Sequence, residues 1–154
     1  MNENKMDQKS IQYAIRIASV NDASEIARQI TILGHPATTE EIIERWEPWS
    51  AESNICFVAQ KEDGTLAGVI TLHKMFLLHR PWPIGRITAL VVDDMLRGMG
   101  LGRALVEVAE EYMANAGCGM LELTSHVSRV EAHAFYAHLG YERTSVRFAK
   151  VFVD

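Results

Sequence analysis

Cysteine is scarce in this sequence, and the two cysteines present, Cys56 and Cys118, lie far apart within apolar runs. So few cysteines exclude the disulfide framework that holds small secreted domains together. The two also lack the close spacing of paired metal ligands. We therefore predict two buried thiols, no disulfide framework and no required metal.

Long apolar runs and an excess of basic residues are also missing. No apolar run approaches the roughly 20 residues of a membrane-spanning helix, and a net charge of −5 excludes the basic footprint of a nucleic-acid-binding domain. Residues 1–10, MNENKMDQKS, lack the apolar core of a signal peptide. We therefore predict a cytoplasmic protein that has a disordered tail at 1–10 and binds neither nucleic acid nor membranes.

The rest of the chain has the composition of one globular domain, which we place at 11–154. Of the 154 residues in the sequence, 48% are hydrophobic and 23% are charged. Hydrophobic periodicity predicts the element order β-α-α-β-β-β-α-β-α-β, in which 54–77 form an antiparallel hairpin that turns at Asp63-Gly64. This order predicts an α/β fold with a mixed, mostly antiparallel central sheet and helices on both faces.

Capping and helix-breaking residues predict several element boundaries. Thr38 opens the second helix and Pro48 stops it. A later helix is predicted over Ser128–His138, with Ser128 in the capping position. The last predicted element is a strand over Thr144–Val151.

The stretch RGMGLG, residues 97–102, lies between a strand at 86–92 and a helix at 102–116. Each glycine there costs about 0.5–1 kcal/mol relative to alanine, which indicates a functional reason. The first N–H groups of a helix lack intrahelical partners and carry partial positive charge, so they bind phosphate. Arg103 adds a second arginine, and no acidic residue occurs from Leu96 to Val106. We predict a phosphate-binding loop.

Known nucleotide-binding loops fit this stretch less well. A P-loop requires Gly-Lys-Ser/Thr, but this chain has Gly102-Arg103-Ala104 at that position. A Rossmann turn requires G-x-G-x-x-G, and the sequence does not match this motif whether it is counted from Gly98 or from Gly100. Glu122 lies at about the distance of a ribose-binding acid, so spacing alone leaves a nucleotide as an alternative. However, a Rossmann sheet is parallel, whereas the hairpin at 54–77 precedes this unit.

The loop resembles the signature Q/R-x-x-G-x-G/A of the GNAT superfamily of N-acetyltransferases. A second stretch, RVEAHAFYAHLGY at 129–141, resembles the family motif N-x-x-A-x-x-[LF]-Y-x-x-x-G-[FY], with arginine in place of asparagine. The similarity covers nearly all of the chain after the tail. It implies a GNAT-like acyltransferase fold, acetyl-CoA as donor, and direct attack of a primary amine on the thioester.

The resemblance also implies roles for individual residues. Backbone groups would bind the pantetheine arm at Leu90, Val91 and Val92, and the pyrophosphate at Arg97, Gly98, Met99, Gly100, Leu101, Gly102, Arg103 and Ala104. Arg129 and His133, in the second motif, are further cofactor-binding candidates, although Arg129 could equally face solvent. Tyr136 would lie near the thioester sulfur and protonate the departing thiolate.

The attacking amine must lose a proton, because alkyl amines have a pKa near 10 and are protonated at pH 7. Glu122, between apolar residues on a strand at 120–124, is the first candidate for the base, since burial makes a carboxylate more basic. His126 is the second, since histidine accepts protons in the neutral range. Their structural alternatives are a solvated strand position and a loop cap.

The acceptor pocket is expected to use the early helices, 31–49, and the loop after the long strand. Aromatic and acidic residues could attract a cation there: Trp46, Trp49, Trp82, Glu44 and Glu47. The stretches 129–133 and 141–148 resemble members that act on small amines, including aminoglycosides and aminoalkylphosphonates, which favours a small-molecule amine. A phosphonate would need a cation such as Arg80, Arg86 or Arg147.

Three further possibilities stay open. The acceptor could be a lysine or N-terminal amine of a protein or peptide. Alternatively, the chain could be a non-catalytic module that senses CoA or a nucleotide. The third is a structural or interaction protein that binds neither CoA nor a nucleotide. Separately, dimers are common among relatives, so the resemblance is compatible with a homodimer.

Overall fold

The computed structural model describes residues 12–154, and the predicted tail at 1–10 lies outside the described residues. Within this range, five strands form one sheet in the order of the chain. The strands are β1 (Tyr13–Ile17), β2 (Asn54–Lys61), β3 (Leu66–Met75), β4 (Ile84–Val92) and β5 (Met120–Leu123). The first four strands pair antiparallel, and β5 joins β4 in parallel. The predicted mixed, mostly antiparallel sheet is confirmed.

Four α-helices cover the two faces of this sheet within the described range. They are α1 (Ala23–Leu33), α2 (Thr39–Ser50), α3 (Leu101–Asn115) and α4 (Val130–His138). On one face, α1 and α2 pack over a core that includes Ile26, Val58 and Val69. On the other face, α3 and α4 pack over a core that includes Ile70 and Leu105. Helices therefore lie on both faces, as predicted.

Local sequence signals explain most of these elements. The Thr38 hydroxyl accepts a hydrogen bond from the Glu41 N–H (3.2 Å), and the Glu41 carboxylate accepts one from the Thr38 N–H (2.9 Å). This reciprocal pair begins α2 where the sequence predicts it. Gly64 has φ +87° in the turn between β2 and β3, as the Asp-Gly pair predicts. None of the helices in residues 12–154 combines the length and apolar character needed to span a bilayer.

Two predicted boundaries are wrong. Pro48 lies inside α2, which continues to Ser50; in the last turn, proline removes only one backbone hydrogen bond, so the helix does not end there. Ser128 does not cap α4, because its hydroxyl lies 2.7 Å from Nδ1 of His126. The helix therefore begins later, at Val130.

The predicted strand over Thr144–Val151 is also wrong. Residues 142–154 are exposed and have no regular secondary structure. Their alternating apolar side chains favour a strand, but a strand needs a neighbour that supplies backbone partners. Within residues 12–154 no strand of this chain pairs with the segment. The cysteine prediction holds for Cys56, which is a buried free thiol, whereas Cys118 is free but only half-buried.

Candidate active site

The sheet opens between β4 and β5. The strand β5 pairs only with Ile84–Ile87, whereas β4 continues to Val92 beside β3. At the point of separation β4 has a bulge, because Ile87 pairs with Leu72 and Ala89 with Thr71, which leaves Thr88 as an extra residue. A bulge bends its strand and increases the local twist. One backbone edge of residues 88–92 is therefore open.

The predicted pantetheine-binding residues lie on this open edge. Leu90, Val91 and Val92 remain paired with β3 on the opposite edge. The side chain of Val91 is buried, and those of Leu90 and Val92 pack toward α3. These side chains do not enter the gap. The backbone N–H and C=O groups of alternate residues in this stretch face it, and those of the residues between them point to β3.

Beyond β4, the glycine loop begins α3 without a side-chain cap. Gly98 and Gly100 have φ of +78° and +84°, a left-handed conformation that favours glycine. In the described part of the chain, the N–H groups of Leu101, Gly102 and Arg103 have no acceptor. The first turn contains no acidic residue. The start of α3 therefore has the free N–H groups and positive potential of an anion site.

Three of the residues predicted to bind pyrophosphate have N–H groups that are already bonded. The Ala104 N–H donates to the Gly100 carbonyl (3.0 Å), the Met99 N–H to the Leu96 carbonyl (3.4 Å) and the Arg97 N–H to the Asp94 carbonyl (3.3 Å). These three bonds shape the loop and the first helical turn. The N–H groups of Ala104, Met99 and Arg97 are therefore less accessible to a ligand than those of Leu101 and Gly102.

Gly102 differs from the other two loop glycines. It has an ordinary helical backbone, and a Cβ atom there would lie 3.3 Å from the Phe135 ring and 3.8 Å from Val92. Its missing side chain therefore allows α4 to pack against the start of α3. The sequence analysis, which assigned all three glycines to a phosphate-binding loop, did not predict this helix contact.

Both loop arginines have acidic partners on the surface. Arg97 lies 2.9 Å from Asp94, and Arg103 lies 3.0 Å from Glu107. The sequence argument missed these partners because each stands just outside the acid-free stretch. Exposed ion pairs of this kind stabilise the folded protein by only about 0–1 kcal/mol, so either arginine can leave its acidic partner and pair with a bound anion.

Tyr136 lies on α4 among aromatic neighbours. Its ring is edge-to-face with Phe135 and with Tyr141, at centroid distances of 5.1 and 5.9 Å. Burial raises the pKa of the Tyr136 hydroxyl, and the positive charge of Arg129 opposes that shift in part. The hydroxyl therefore stays protonated at neutral pH, as a proton donor must.

Glu122 does not have the purely apolar surroundings that the sequence predicts. Its Oε1 accepts a hydrogen bond from Nε of Arg86 (3.1 Å) and lies 3.0 Å from Nη2 of the same guanidinium. Since Ile87 and Leu123 belong to the core below α3, their neighbours Arg86 and Glu122 lie on the α1–α2 face. The guanidinium therefore orients the carboxylate.

A histidine that the sequence analysis does not single out lies beside this pair. His73 is in register with Arg86 across β3 and β4, and Arg86 with Glu122 across β4 and β5. Nδ1 of His73 is buried and has no hydrogen-bond partner among the described residues. Only the register of three strands brings the side chains of His73, Arg86 and Glu122 together, so no local sequence pattern predicts that they are neighbours.

The second predicted base, His126, lies in the loop before α4. Its Nδ1 accepts a hydrogen bond from the Ser128 N–H (3.2 Å), and its carbonyl accepts one from Nε2 of His133 (2.9 Å). His126 and His133 therefore order the loop that leads into α4. Arg129, at the start of α4, is exposed.

A cavity of about 230 Å³ lies between α1, α2 and the sheet. Trp46 and Trp49 of α2 form part of its wall, and Cys56 and Thr71 lie at its base on β2 and β3. Burial raises the pKa of the Cys56 thiol to about 12, which keeps it neutral. Two of the three tryptophans predicted for the acceptor pocket thus line one cavity, whereas Trp82 stacks beneath Arg80 outside it.

Comparison with known proteins identifies the family. Residues 20–141 match the acetyltransferase (GNAT) family. The chain belongs to that family. Acetyltransferases of the GNAT family use acetyl-CoA as the acetyl donor, and the open β4 edge and the uncapped start of α3 in this GNAT chain suit such an extended, anionic ligand.

Individual relatives of this GNAT acetyltransferase act on different amines. An aminoalkylphosphonate N-acetyltransferase from Salmonella typhimurium is 36% identical over 99 residues, which cover 64% of each chain, less than two thirds of the relative's length. An aminoglycoside N(6')-acetyltransferase type 1 from Stenotrophomonas maltophilia is 28% identical over 133 residues, covering 84% of this chain and 86% of the relative. Both of these relatives are named as N-acetyltransferases, one of aminoalkylphosphonates and one of aminoglycosides.

A solved structure confirms the fold. Glucosamine-6-phosphate N-acetyltransferase from Arabidopsis thaliana superposes with a TM-score of 0.80 at 24% identity, covering 92% of this chain and 99% of that one. The predicted GNAT-like fold is thereby confirmed.

Proposed function

We propose that this GNAT enzyme transfers the acetyl group of acetyl-CoA to a primary amine on a small molecule. The single observation that supports this most directly is the continuity of the open β4 edge with the uncapped start of α3. Together they provide backbone partners for an extended amide-containing arm and, at its end, N–H groups for a pyrophosphate. The donor, when bound, supplies an activated acyl group and a thiolate leaving group.

The cofactor-binding residues follow from this arrangement. The backbone of Leu90, Val91 and Val92 would bond the pantetheine amides. The N–H groups of the loop and first helical turn would hold the pyrophosphate, with Arg97 and Arg103 adding positive charge. Arg129 and His133 border the same region from α4.

Tyr136 would donate its hydroxyl proton to the departing sulfur. Burial keeps that hydroxyl protonated, and the neighbouring Phe135 ring packs against Gly102 at the start of α3, which supports this role. General acid catalysis of this kind contributes roughly 100- to 10,000-fold to a rate.

Glu122 is our proposed base, acting directly or through one water molecule. It lies on the α1–α2 face beside the opening of the sheet, and Arg86 holds its carboxylate in place. His126 is the alternative, but its Nδ1 already accepts a hydrogen bond within its own loop.

Turnover measurements test this proposal. Release of the CoA thiol should depend on an added small-molecule amine, and calorimetry should detect acetyl-CoA binding without it. A non-catalytic sensor would bind acetyl-CoA but release no thiol with any amine. A protein acetyltransferase would modify lysine-containing or N-terminal peptides and leave small amines unmodified.

We also propose that the enzyme is a homodimer in which residues 142–154 contact a second copy. Large apolar side chains in this segment are 74–92% exposed: Val146, Phe148, Val151, Phe152 and Val153. Within the described sheet, β5 is an edge strand with unpaired backbone groups. An extended segment of this composition can add to such an edge on a second chain.

A further inference from the structure

The cavity beneath α2 indicates which amine the enzyme accepts, an inference that rests on the proposed acetyl transfer. We propose that the acceptor is a primary amine with an aromatic or compact aliphatic body, that this body fills the cavity, and that its amino group lies beside Thr71. Phosphonates and polyhydroxylated amino sugars are then poor substrates. The argument depends on the size, walls, charge and position of the cavity.

The size suits one ring with a short side chain. The cavity measures about 230 Å³. A cavity of about 150 Å³ holds a benzene molecule, so the remaining space accommodates a short chain that ends in an amine. A multi-ring aminoglycoside would extend far beyond these walls.

The walls are apolar and aromatic. Ile26 and Ile30 of α1 face Ile42, Trp46 and Trp49 of α2 across the cavity. The two indole rings lie 5.4 Å apart at an interplanar angle of 46° and are half-buried, so each leaves part of its ring uncovered toward the cavity. Tilted rings of this kind pack well against a third aromatic ring.

The charges around the cavity disfavour a phosphonate. Arg45 is the only charged residue among the described lining residues, and its guanidinium lies 3.9 Å from Glu41 at the exposed rim. Of the three other arginines considered for a phosphonate, Arg86 is bonded to Glu122, Arg80 lies over Trp82, and Arg147 is exposed in the segment 142–154 and does not line the cavity. A dianionic phosphonate in this cavity would lose its hydration without gaining a buried cation.

The base of the cavity leads to the opening in the sheet. The Thr71 hydroxyl, in the cavity lining, lies 2.7 Å from the Thr88 hydroxyl. Thr88 is the bulge residue at which β4 and β5 separate. An amino group beside Thr71 would therefore meet two hydroxyl oxygens at the edge where the donor is expected, and His73 and Arg86 follow on the same face.

Substrate competition tests this inference. With the full chain and acetyl-CoA, 2-phenylethylamine should show a kcat/KM at least roughly tenfold above those of 2-aminoethylphosphonate, glucosamine 6-phosphate and kanamycin. With CoA present, 2-phenylethylamine should also change the tryptophan fluorescence of the protein, since Trp46 and Trp49 line its site. A preference for the phosphonate or the sugars would overturn the inference and leave the proposed acetyl transfer intact.

A matched pair of variants locates the site. Ile30→Phe places a larger side chain in the cavity, whereas Ile32→Phe changes an exposed residue of the same helix. Ile30→Phe should raise the KM for 2-phenylethylamine roughly tenfold, with acetyl-CoA affinity unchanged, and Ile32→Phe should leave both unchanged. Equal kinetics in the two variants would place the acceptor elsewhere. Absence of thiol release with every amine would overturn the proposed function itself.

Discussion

At Gly102, a hydrogen atom in place of a side chain determines how closely α4 approaches α3. A Cβ atom added to Gly102 would lie only 3.3 Å from the Phe135 ring. Because Tyr136 follows Phe135, this contact also fixes the position of Tyr136 relative to the start of α3. Gly102 therefore acts through packing, whereas Gly100 acts through its backbone conformation.

Gly100→Asp should abolish detectable acetyl-CoA binding. Its carboxylate would lie at the uncapped start of α3, where it would cap the free N–H groups and repel a pyrophosphate. Isothermal titration calorimetry measures the affinity, and circular dichroism shows whether the variant is folded.

Gly34→Asp is the matched control for this variant. Gly34 also has a positive φ, +108°, and a side chain there would meet nothing within 4 Å. The substitution imposes comparable backbone strain at the end of α1 and should leave acetyl-CoA affinity unchanged. A folded Gly100→Asp protein that binds as tightly as this control would contradict the proposed phosphate site.

Tyr136→Phe should lower kcat by roughly 100-fold and leave acetyl-CoA affinity unchanged, because it removes a proton donor and keeps the ring. Burial raises the pKa of this hydroxyl, so its donor form persists up to and beyond the ordinary tyrosine value of about 10. The alkaline decline of wild-type kcat should therefore begin above that value and be absent in the variant. Weaker acetyl-CoA binding with normal kcat would instead indicate a packing role.

At the residue scale, sequence predicts the parts of the site that are contiguous in the chain. The free N–H groups after Gly100 follow from a local pattern of glycines and missing acids. The pairing of Arg86 with Glu122 and the orphaned Nδ1 of His73 depend on the register of separate strands, which no local pattern specifies. The same is true of the hydroxyl pair formed by Thr71 and Thr88.

At the scale of elements, one polar cluster joins β1 to α1. The Asp22 carboxylate accepts hydrogen bonds from Nη1 and Nη2 of Arg16, at 2.9 and 2.8 Å, and from the Ser19 N–H at 2.9 Å. These contacts hold Asp22 ionised and lower its pKa, chiefly through the hydrogen bonds from Arg16. The start of α1 is thereby tied to the first strand of the sheet.

Asp22→Asn should reduce the free energy of unfolding by about 1–2 kcal/mol at pH 7, because two charge-assisted hydrogen bonds are weakened. Since the pKa of Asp22 is lowered by folding, its contribution is fully present above the unfolded value of about 4 and is lost as pH falls through the folded pKa. Urea unfolding of both proteins at pH 7 and pH 3 should show the difference shrinking at pH 3.

Glu62→Gln, in the exposed turn between β2 and β3, is the control for this effect. It should match the wild-type protein at both pH values. A stability difference between the wild type and Asp22→Asn that stays constant from pH 7 to pH 3 would show that the carboxylate charge is not responsible.

The elements themselves were largely predictable, because hydrophobic periodicity and caps are local signals. Thr38 and the Asp63-Gly64 pair mark boundaries that the structure confirms. The errors arise where the structure depends on a contact that the local sequence does not specify. Ser128 bonds to His126 and does not cap the helix. The segment 144–151 has strand-like residues but no adjacent strand among the described residues of its own chain.

At the scale of the whole molecule, residues 142–154 leave five large apolar side chains exposed within one short segment. Single exposed apolar side chains are common in folded proteins, but several in one segment indicate an interaction surface. The segment follows α4 directly, so a partner bound there would lie close to Tyr136 and Tyr141. Association and activity are therefore expected to be coupled.

Phe148→Asp should convert a dimer into a monomer, because it places a charge in the proposed interface. Sedimentation velocity over a range of protein concentrations measures the change. Phe76→Asp is the control, since Phe76 is 76% exposed in a different part of the molecule, beside Lys74. A wild-type protein that sediments as a monomer at all concentrations would contradict the interface.

The bulge at Thr88 has a consequence for how such an enzyme can diversify. One extra residue in β4 determines where the hydrogen bonds between β4 and β5 end. This bulge does not depend on the identity of any neighbouring side chain. Residues that line the cavity, such as Trp46, can therefore be replaced so that a different amine binds, while the opening between β4 and β5 keeps its position and width.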